Sequence, residues 1–355
     1  SDLDASFVAP LLRTSAEGFA GLAASRFWED DANDLGAAGD GFGAWKAHLR
    51  EQVLQLAAAV EDGSPAMFAG HQAWLREAGS ARGVTSDALQ SACHHLAAVL
   101  EESLPPEGWQ LLPPLFAAGD ETLASPAPAS TSHLPTEGLA AKLARGYLAC
   151  IDEGDERGAC DLLSEAVKQG DLTAPQVMAE VLSPVLREVG RLWHIGELSI
   201  AEEHLTTVVT RKALARLSAL MPRTPFNEKT VVIGSVAGDN HDIGIQIVSA
   251  YFEMDGWRTI CLGANTPAED ILQVSLRFDA DLIALGATLA TQREAVGATC
   301  ALLREHRAET PILVGGTAFS RGDDSWERLG AQACATNPVH ALEAGRRLVG
   351  LDSEG

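Results

Sequence analysis

Residues 238–244, Gly-Asp-Asn-His-Asp-Ile-Gly, hold the side chains whose types and spacing most clearly suggest chemistry. Asp239 lies two residues before His241, so its carboxylate can accept a hydrogen bond from one imidazole nitrogen. This pairing orients the ring and raises the basicity of the other nitrogen, which is then suited to bind a metal. Gly244 lets the loop enter the next helix without a clash. A loop histidine satisfied by a neighbouring aspartate, without any ligand, explains the pair equally well.

Residues 227–351 alternate short β-branched runs with segments long enough for helices, which predicts a doubly wound, parallel α/β sheet. Ligands of such sheets bind beyond the carboxyl ends of the strands. The third predicted strand ends in small and hydroxyl side chains at Gly286 and Thr288. The fourth ends in Gly315 and Gly316, which allow a bulky group to approach the backbone. The predicted strands are residues 230–237, 259–264, 281–288, 311–316 and 333–336.

These features together resemble the cobalamin-binding signature, in which Asp-x-His-x-x-Gly is followed by a Ser-x-Leu stretch and a Gly-Gly pair. The resemblance covers residues 227–351 and implies a flavodoxin-like domain that holds cobalamin base-off. It implies that His241 replaces the lower base of the cofactor as the cobalt ligand. The displaced nucleotide tail would then pass Thr288 and the glycines. The chain departs from the signature at Gly286, where serine is usual, so we expect Thr288 to supply the hydroxyl.

Residues 138–221 contain four predicted helices joined by short turns, which indicates a four-helix bundle. Ser199 and Glu202 form a capping box that marks the start of the fourth helix. Four side chains are predicted to converge on one end of this bundle, and without a ligand they would be a core tryptophan and the polar residues of a turn. These side chains are Trp193, His194, Glu203 and His204.

Beside a cobalamin domain, Trp-x9-Glu-His with a histidine directly after the tryptophan resembles the cap of the light-sensing adenosylcobalamin proteins. The resemblance implies that Trp193 packs over the adenosyl group. It implies that Glu203 and His204 hold the ribose and adenine. His194 would ligate cobalt from above after light breaks the cobalt–carbon bond.

Residues 1–118 have helical periodicity throughout, and their pattern resembles a globin-like sensor domain. A globin-like domain fused to such a cap and cobalamin unit is similar to the photocobilins, which pair cobalamin with a linear tetrapyrrole such as biliverdin. The residues alone favour a plainer explanation, an amphipathic helix with one of its two histidines buried and the other exposed. Cys93 could attach a bilin, although its sequence neighbours do not indicate an activated thiol. The resemblance gives a bilin pocket lined by Trp74, Arg76, Arg82, His94 and His95.

The length, charge and cysteine content of the chain make several classes of protein improbable. The chain has 355 residues, too many for one core, and residues 119–137 are predicted to be a linker rich in Ala, Pro, Ser and Thr. Its net charge of −23 opposes direct nucleic-acid binding. No apolar run approaches the roughly 20 residues of a membrane span, and the start lacks signal-peptide features. Six scattered cysteines are typical of buried or incidental thiols in a reducing cytoplasm.

We therefore predict a cytoplasmic light sensor, not an enzyme, that carries adenosylcobalamin and, in its N-terminal domain, biliverdin. Light would change the interdomain packing and the state of a homo-oligomer, and the signal would pass to a protein partner or a fused effector domain. One alternative is a corrinoid carrier that shuttles methyl groups between methyltransferases. Another is an antirepressor that binds hydroxocobalamin and a transcription factor.

Overall fold

Helices make up the first part of the chain, and a parallel sheet follows in the last part. The computed structural model describes residues 5–31, 41–126, 131–222, 224–307, 309–319 and 325–352. Tertiary contacts divide the chain into two units. The N-terminal unit comprises Ser1–Thr131 with Leu192–Glu197, and the C-terminal unit comprises Ser132–Arg191 with Leu198–Gly355.

The N-terminal unit is all-helical, as predicted. Alanines at one face of its second helix (Ala20, Ala23 and Ala24) are fully buried, so this helix can pack closely against the third. The Thr85 side chain accepts a hydrogen bond from the Ala88 N–H at 3.1 Å and caps the fifth helix. The helices are α1 (Ala5–Thr14), α2 (Ala16–Asp30), α3 (Phe42–Asp62), α4 (Pro65–Ala81), α5 (Ser86–Ser103), α6 (Pro106–Trp109) and α7 (Pro113–Ala124).

Helix α7 extends to Ala124, six residues into the predicted linker 119–137. Leu123 is only 3% exposed, and it continues the apolar face that begins at Phe116. Gly119 lies so close to the Phe68 ring that an added Cβ would be 3.0 Å from Cε1. Packing against α4 therefore stabilises a helix where composition indicated a loop, while residues 127–130 lie outside the described part of the chain.

Helices also fill residues 138–221, where four were predicted. Ser199 caps the last of them through the predicted capping box with Glu202. The third is a three-residue helix followed by a π-helical segment, Val177–Leu182, that continues into a regular helix. Tyr147 is fully buried and its hydroxyl is 3.0 Å from Thr210 Oγ1. The helices are α8 (Gly138–Asp152), α9 (Glu156–Lys168), α10 (Ala174–Gln176), α11 (Ser183–His194) and α12 (Ile200–Ala219).

A five-stranded parallel sheet follows, which confirms the predicted fold of this region. The strand order β2-β1-β3-β4-β5 is that of flavodoxin-like sheets. The strands are β1 (Thr230–Ser235), β2 (Arg258–Cys261), β3 (Leu282–Gly286), β4 (Ile312–Gly315) and β5 (Ala333–Ala335). The helices are α13 (Ile243–Met254), α14 (Ala268–Arg277), α15 (Arg293–His306), α16 (Ser325–Arg328) and α17 (Pro338–Leu348).

The strand register brings the carboxyl ends to one edge. Ser235 pairs with Gly286, Gly286 with Gly315, and Gly315 with Ala335. The loops that leave β1, β3 and β4 therefore lie side by side, which places the predicted site residues of these loops at a common edge.

All six cysteines lie in the described residues, and no disulfide joins them there. Within the same described ranges, no helix is both long enough and apolar enough to span a bilayer.

Candidate functional site

The loop after β1 presents His241 on a buried aspartate. Asp239 is 1% exposed, and its Oδ1 accepts hydrogen bonds from the His241 main-chain N–H at 3.0 Å and from Nδ1 at 2.8 Å. A neutral imidazole that donates through Nδ1 has an unprotonated Nε2. The His241 side chain is 65% exposed, and none of the described residues is hydrogen-bonded to Nε2. This nitrogen is therefore available as a metal ligand.

Thr288 completes the hydrogen bonding of the aspartate. Its hydroxyl donates to Asp239 Oδ2 at 3.0 Å, so both carboxylate oxygens are engaged. A side chain at Gly286 could not do this, because a Cβ there would lie 2.7 Å from Ile245 Cγ2 and 3.2 Å from Ser235 Oγ. The hydroxyl that bonds the aspartate at this edge is therefore that of Thr288, whereas its contact with the cofactor stays a prediction.

The electrostatics of the loop make His241 a stronger base than an ordinary histidine. The hydrogen bond to Asp239 raises the pKa of His241, and burial opposes the rise. The negative charges of Glu203 and Asp242 raise this pKa further. A more basic imidazole donates electron density more strongly to a metal.

The glycines at this edge have different roles. An added Cβ would lie 2.6 Å from the Ala335 carbonyl oxygen at Gly315 and 2.1 Å from the Ala287 carbonyl oxygen at Gly316. Gly316 also has a φ of +104°, which favours glycine. The close approach of neighbouring main-chain atoms thus requires glycine at both positions. The sequence predicted instead that these glycines make room for a ligand. Gly244 differs, since an added Cβ there would meet nothing within 4 Å.

Two residues of this edge were missed by the sequence analysis. Asn265 follows β2 and has a φ of +50°, and its Oδ1 accepts from the Gly238 N–H at 2.7 Å. Gln292 ends the turn after β3, and its Nε2 donates to the Gly238 carbonyl oxygen at 3.1 Å. The only sequence signal was their position shortly after predicted strands, since neither residue belongs to a recognisable spacing pattern.

The predicted cap residues are distributed over both units. Trp193 and His194 belong to the N-terminal unit, whereas Glu203 and His204 lie in the first turn of α12 in the C-terminal unit. Glu203 Oε1 accepts a hydrogen bond from the Thr207 hydroxyl at 2.8 Å, and the His204 side chain is 71% exposed. The convergence of all four side chains stays a prediction.

His194 is held inside the N-terminal unit. Its ring stacks on Trp74 with centroids 4.3 Å apart and planes 24° apart, and the residue is 7% exposed. Arg82 donates to the carbonyl oxygen of His194 at 2.9 Å and to that of Trp193 at 3.3 Å. Burial lowers the pKa of His194, and neither ring nitrogen has a hydrogen-bond partner within the described ranges. Nε2 also lies 3.9 Å from Glu77 Oε2, and the charge of Glu77 raises this pKa and opposes the effect of burial.

The α4 residues assigned to a bilin pocket have other partners. Arg76 is 7% exposed and donates to the carbonyl oxygens of Thr122 and Ser125. Arg82 is bonded to main-chain oxygens as well, so both guanidinium groups already have acceptors. Trp74 is 46% exposed and stacks on His71 and His194.

The α5 residues of that set are directed to different neighbours. His94 Nε2 lies 3.0 Å from Asp120 on α7 and is largely exposed, whereas His95 Nε2 lies 2.9 Å from Asp31 and is mostly buried. The structure does not bring these two rings to one pocket. Burial also raises the pKa of the Cys93 thiol, which keeps it protonated.

Comparison with known proteins agrees with this site. Residues 229–344 and 143–218 each match a family model described as a B12 binding domain. The chain is 26% identical over 186 residues to a dimethylamine corrinoid protein of Methanosarcina barkeri, covering 51% of this chain and 86% of that protein. It is 27% identical over 198 residues to the HTH-type transcriptional repressor CarH of Myxococcus xanthus, covering 51% and 64%. The structure of the M. barkeri monomethylamine corrinoid protein matches with a TM-score of 0.52 at 20% identity, covering 58% of this chain and 98% of that one.

The fold, the His241 loop and the two matched segments define a corrinoid-binding protein. The chain carries a pair of B12-binding domains, one helical and one α/β, which confirms the predicted cobalamin-binding region. The donor set fits such a cofactor, because a corrinoid would bring its cobalt with it and His241 would supply one further nitrogen ligand. Among the described residues, no group of three or more His, Cys, Asp or Glu side chains could hold a metal ion.

Proposed function

We propose that the chain is a light sensor that uses adenosylcobalamin, with His241 as the lower cobalt ligand. The observation that carries this proposal is the way the N-terminal unit holds the Trp193–His194 segment, through Arg82 and Trp74. Residues 1–131 lie outside both matched B12-binding segments. A domain that binds the end of α11 can respond to a structural change at that point of the chain. A methyl carrier does not require such a contact.

Four residues would contact the adenosyl side of the cofactor, and each would have its own role. The cofactor would supply a cobalt–carbon bond that visible light breaks. Trp193 would pack against the adenosyl group, and Glu203 and His204 would bind its ribose and adenine. Neither ring nitrogen of His194 is hydrogen-bonded among the described residues, so this ring would serve as the upper ligand once it leaves the Trp74 stack and the vicinity of Glu77.

The resemblance to photocobilins extends the proposal to biliverdin in the N-terminal unit. Trp74 is 46% exposed, and a planar tetrapyrrole could stack on it. Arg76 and Arg82 would have to exchange main-chain carbonyl oxygens for propionate groups. A far-red absorption band in the biliverdin-loaded protein would support this part, and its absence would remove it without affecting the cobalamin site.

The output proposed for this switch is a protein contact. We propose a binding and signalling role without catalysis, in which light changes the state of a homo-oligomer and a protein partner or fused effector domain reads that state. The formal charge of −23 disfavours direct binding to nucleic acid.

The test is absorption spectroscopy and gel filtration of the full chain loaded with adenosylcobalamin in the dark, before and after green light. We expect a lasting spectral change together with a change in oligomer size. Trp193→Ala should lower the affinity for adenosylcobalamin while leaving hydroxocobalamin binding within about twofold, because only the adenosyl form carries a group large enough for Trp193 to pack against. Photolysis no different from that of free cobalamin, with no change in assembly, would contradict the sensor proposal.

A second candidate is a corrinoid methyl carrier, which the match over 86% of a dimethylamine corrinoid protein favours. A carrier would cycle between methylated and reduced cobalamin with a methyltransferase as partner. It would also bind methylcobalamin and adenosylcobalamin similarly, and Trp193→Ala would affect neither. The adenosylcobalamin affinities of the wild type and of Trp193→Ala, which only the sensor proposal expects to differ, therefore separate the two candidates.

A further inference from the structure

The main chain of Gly238, the residue before Asp239, is hydrogen-bonded by two carboxamide side chains. Asn265 accepts from the Gly238 N–H at 2.7 Å, and its own main-chain N–H donates to the Asp239 carbonyl oxygen at 2.7 Å. Gln292 donates to the Gly238 carbonyl oxygen at 3.1 Å. Because Gly238 has a φ of +83°, few residues could replace it, and its orientation depends on these two neighbours.

Gln292 also fixes the loop that carries the threonine hydroxyl. Its Oε1 accepts from the main-chain N–H groups of Thr288 and Leu289, both at 2.8 Å. The residue is 7% exposed, so water could not readily replace these bonds. One side chain thus ties the loop after β3 to the loop after β1.

The aspartate that orients His241 lies between the two loops. Asp239 Oδ2 receives the Thr288 hydroxyl at 3.0 Å, and Oδ1 receives His241 Nδ1 at 2.8 Å. A shift of either loop would therefore turn the carboxylate and, with it, the imidazole. Hydrogen-bond partners behind a metal ligand commonly change metal affinity about 10–100-fold.

We propose that Gln292 is a positioning residue for His241: by holding the Thr288 and Gly238 loops in register, it sets the strength of the bond between His241 and cobalt. This inference rests on the proposed use of cobalamin with His241 as its ligand. It assigns a role to a residue that touches neither the ring of His241 nor the carboxylate of Asp239.

The chain offers a control in Gln332. Its Oε1 accepts from the Ile312 N–H at 2.7 Å, and its Nε2 donates to the Gly330 carbonyl oxygen at 2.9 Å. These bonds also link main-chain groups of two segments, but they lie at the amino end of β4, away from the His241 loop. Gln332→Met therefore removes similar bonds without disturbing the proposed register.

The experiment uses the full chain loaded with cobinamide, the corrinoid that lacks the nucleotide base and so cannot supply its own lower nitrogen ligand. The bound cobinamide is reduced to its Co(II) state and examined by electron paramagnetic resonance. An axial nitrogen splits each cobalt line into three, so the spectrum gives the ratio of His-bound to unbound cobalt. We expect splitting in the wild type and in Gln332→Met, and none in His241→Ala. Gln292→Met should still bind cobinamide, with the bound-to-unbound ratio reduced about tenfold.

A conservative variant guards against misfolding. Gln292→Glu keeps the acceptor for Thr288 and Leu289 but loses the donor to Gly238, so we expect a smaller fall in the same ratio. A wild-type ratio in both Gln292→Met and Gln292→Glu would overturn the inference while leaving the proposed function intact. Absence of splitting in the wild type would overturn His241 ligation itself, and the inference with it.

Discussion

Asp239 is a buried carboxylate whose two oxygens have separate tasks. One oxygen accepts from Nδ1 of His241 and so fixes the tautomer and orientation of the ring. The other oxygen accepts a hydrogen bond from the Thr288 hydroxyl. A carboxylate that is 1% exposed would be costly without these donors. The same bonds that satisfy the aspartate therefore prepare the histidine for a metal.

Removing the threonine hydroxyl should affect both stability and ligand binding. Thr288→Val leaves Asp239 Oδ2 buried without its donor, so we expect a loss of about 1–3 kcal/mol in the free energy of unfolding. Cobalamin affinity should fall with it, because the carboxylate is no longer held in place. Urea unfolding and absorbance titration would measure the two effects.

Thr299→Val is the matched control for that substitution. Thr299 is 1% exposed, but its hydroxyl donates to the Ala295 carbonyl oxygen within α15 at 2.7 Å. This variant should lose stability to a similar or smaller degree and retain cobalamin affinity. Equal affinity in Thr288→Val and Thr299→Val would contradict the role given to Thr288.

Strands and helices of the C-terminal unit could be predicted because their signals are local. β-branched runs marked all five strands, and the capping box at Ser199 marked the start of α12. The His241 loop was equally accessible, since its aspartate and histidine are neighbours in the chain. Interactions between distant segments were not accessible. Arg82 reaches the carbonyl oxygen of His194 across 112 positions, and nothing in the spacing of either residue indicates that contact.

Helix α7 shows how packing can override composition. Its last turns were expected to be a linker, yet Leu123 is buried in the core of the N-terminal unit. Leu123→Ala should therefore lower the free energy of unfolding by about 2–5 kcal/mol. Leu139→Ala, at a position that is 38% exposed, should change it by less than about 1 kcal/mol. A thermal melt of both variants checks this, and equal stability would show that residues 119–124 behave as a linker.

The histidines of the two units respond to pH in opposite directions. Burial lowers the pKa of His48 to about 4 and that of His71 to about 3, and it also lowers the pKa of His194. These groups stabilise the fold fully above their unfolded pKa of about 6.5, and that stability is lost as the pH falls through it. The raised pKa of His241 works the other way, since its contribution is present below about pH 6.5 and is lost as the pH rises through the folded value.

We therefore expect acid to weaken the N-terminal unit first. Between pH 6.5 and 5.5 the loss should be about 1 kcal/mol each for His48 and His71. Hydrogen exchange of the two units, corrected for intrinsic rates, would resolve it. His71→Gln should reduce the pH dependence, and His204→Gln, at an exposed ring, should not. Equal protection of the N-terminal unit at both pH values would contradict this expectation.

The path of the polypeptide between the units limits how the protein can be taken apart or recombined. The chain leaves the N-terminal unit after Thr131, returns to it at Leu192–Glu197, and leaves again. No single cut separates the two units. A fusion junction near residue 131 would separate Leu192–Glu197 from the residues of the N-terminal unit that they contact. Gene rearrangements that exchange the N-terminal unit must therefore also preserve the partners of Trp193 and His194. The two units are therefore linked by more than one crossing of the chain, although each has its own core.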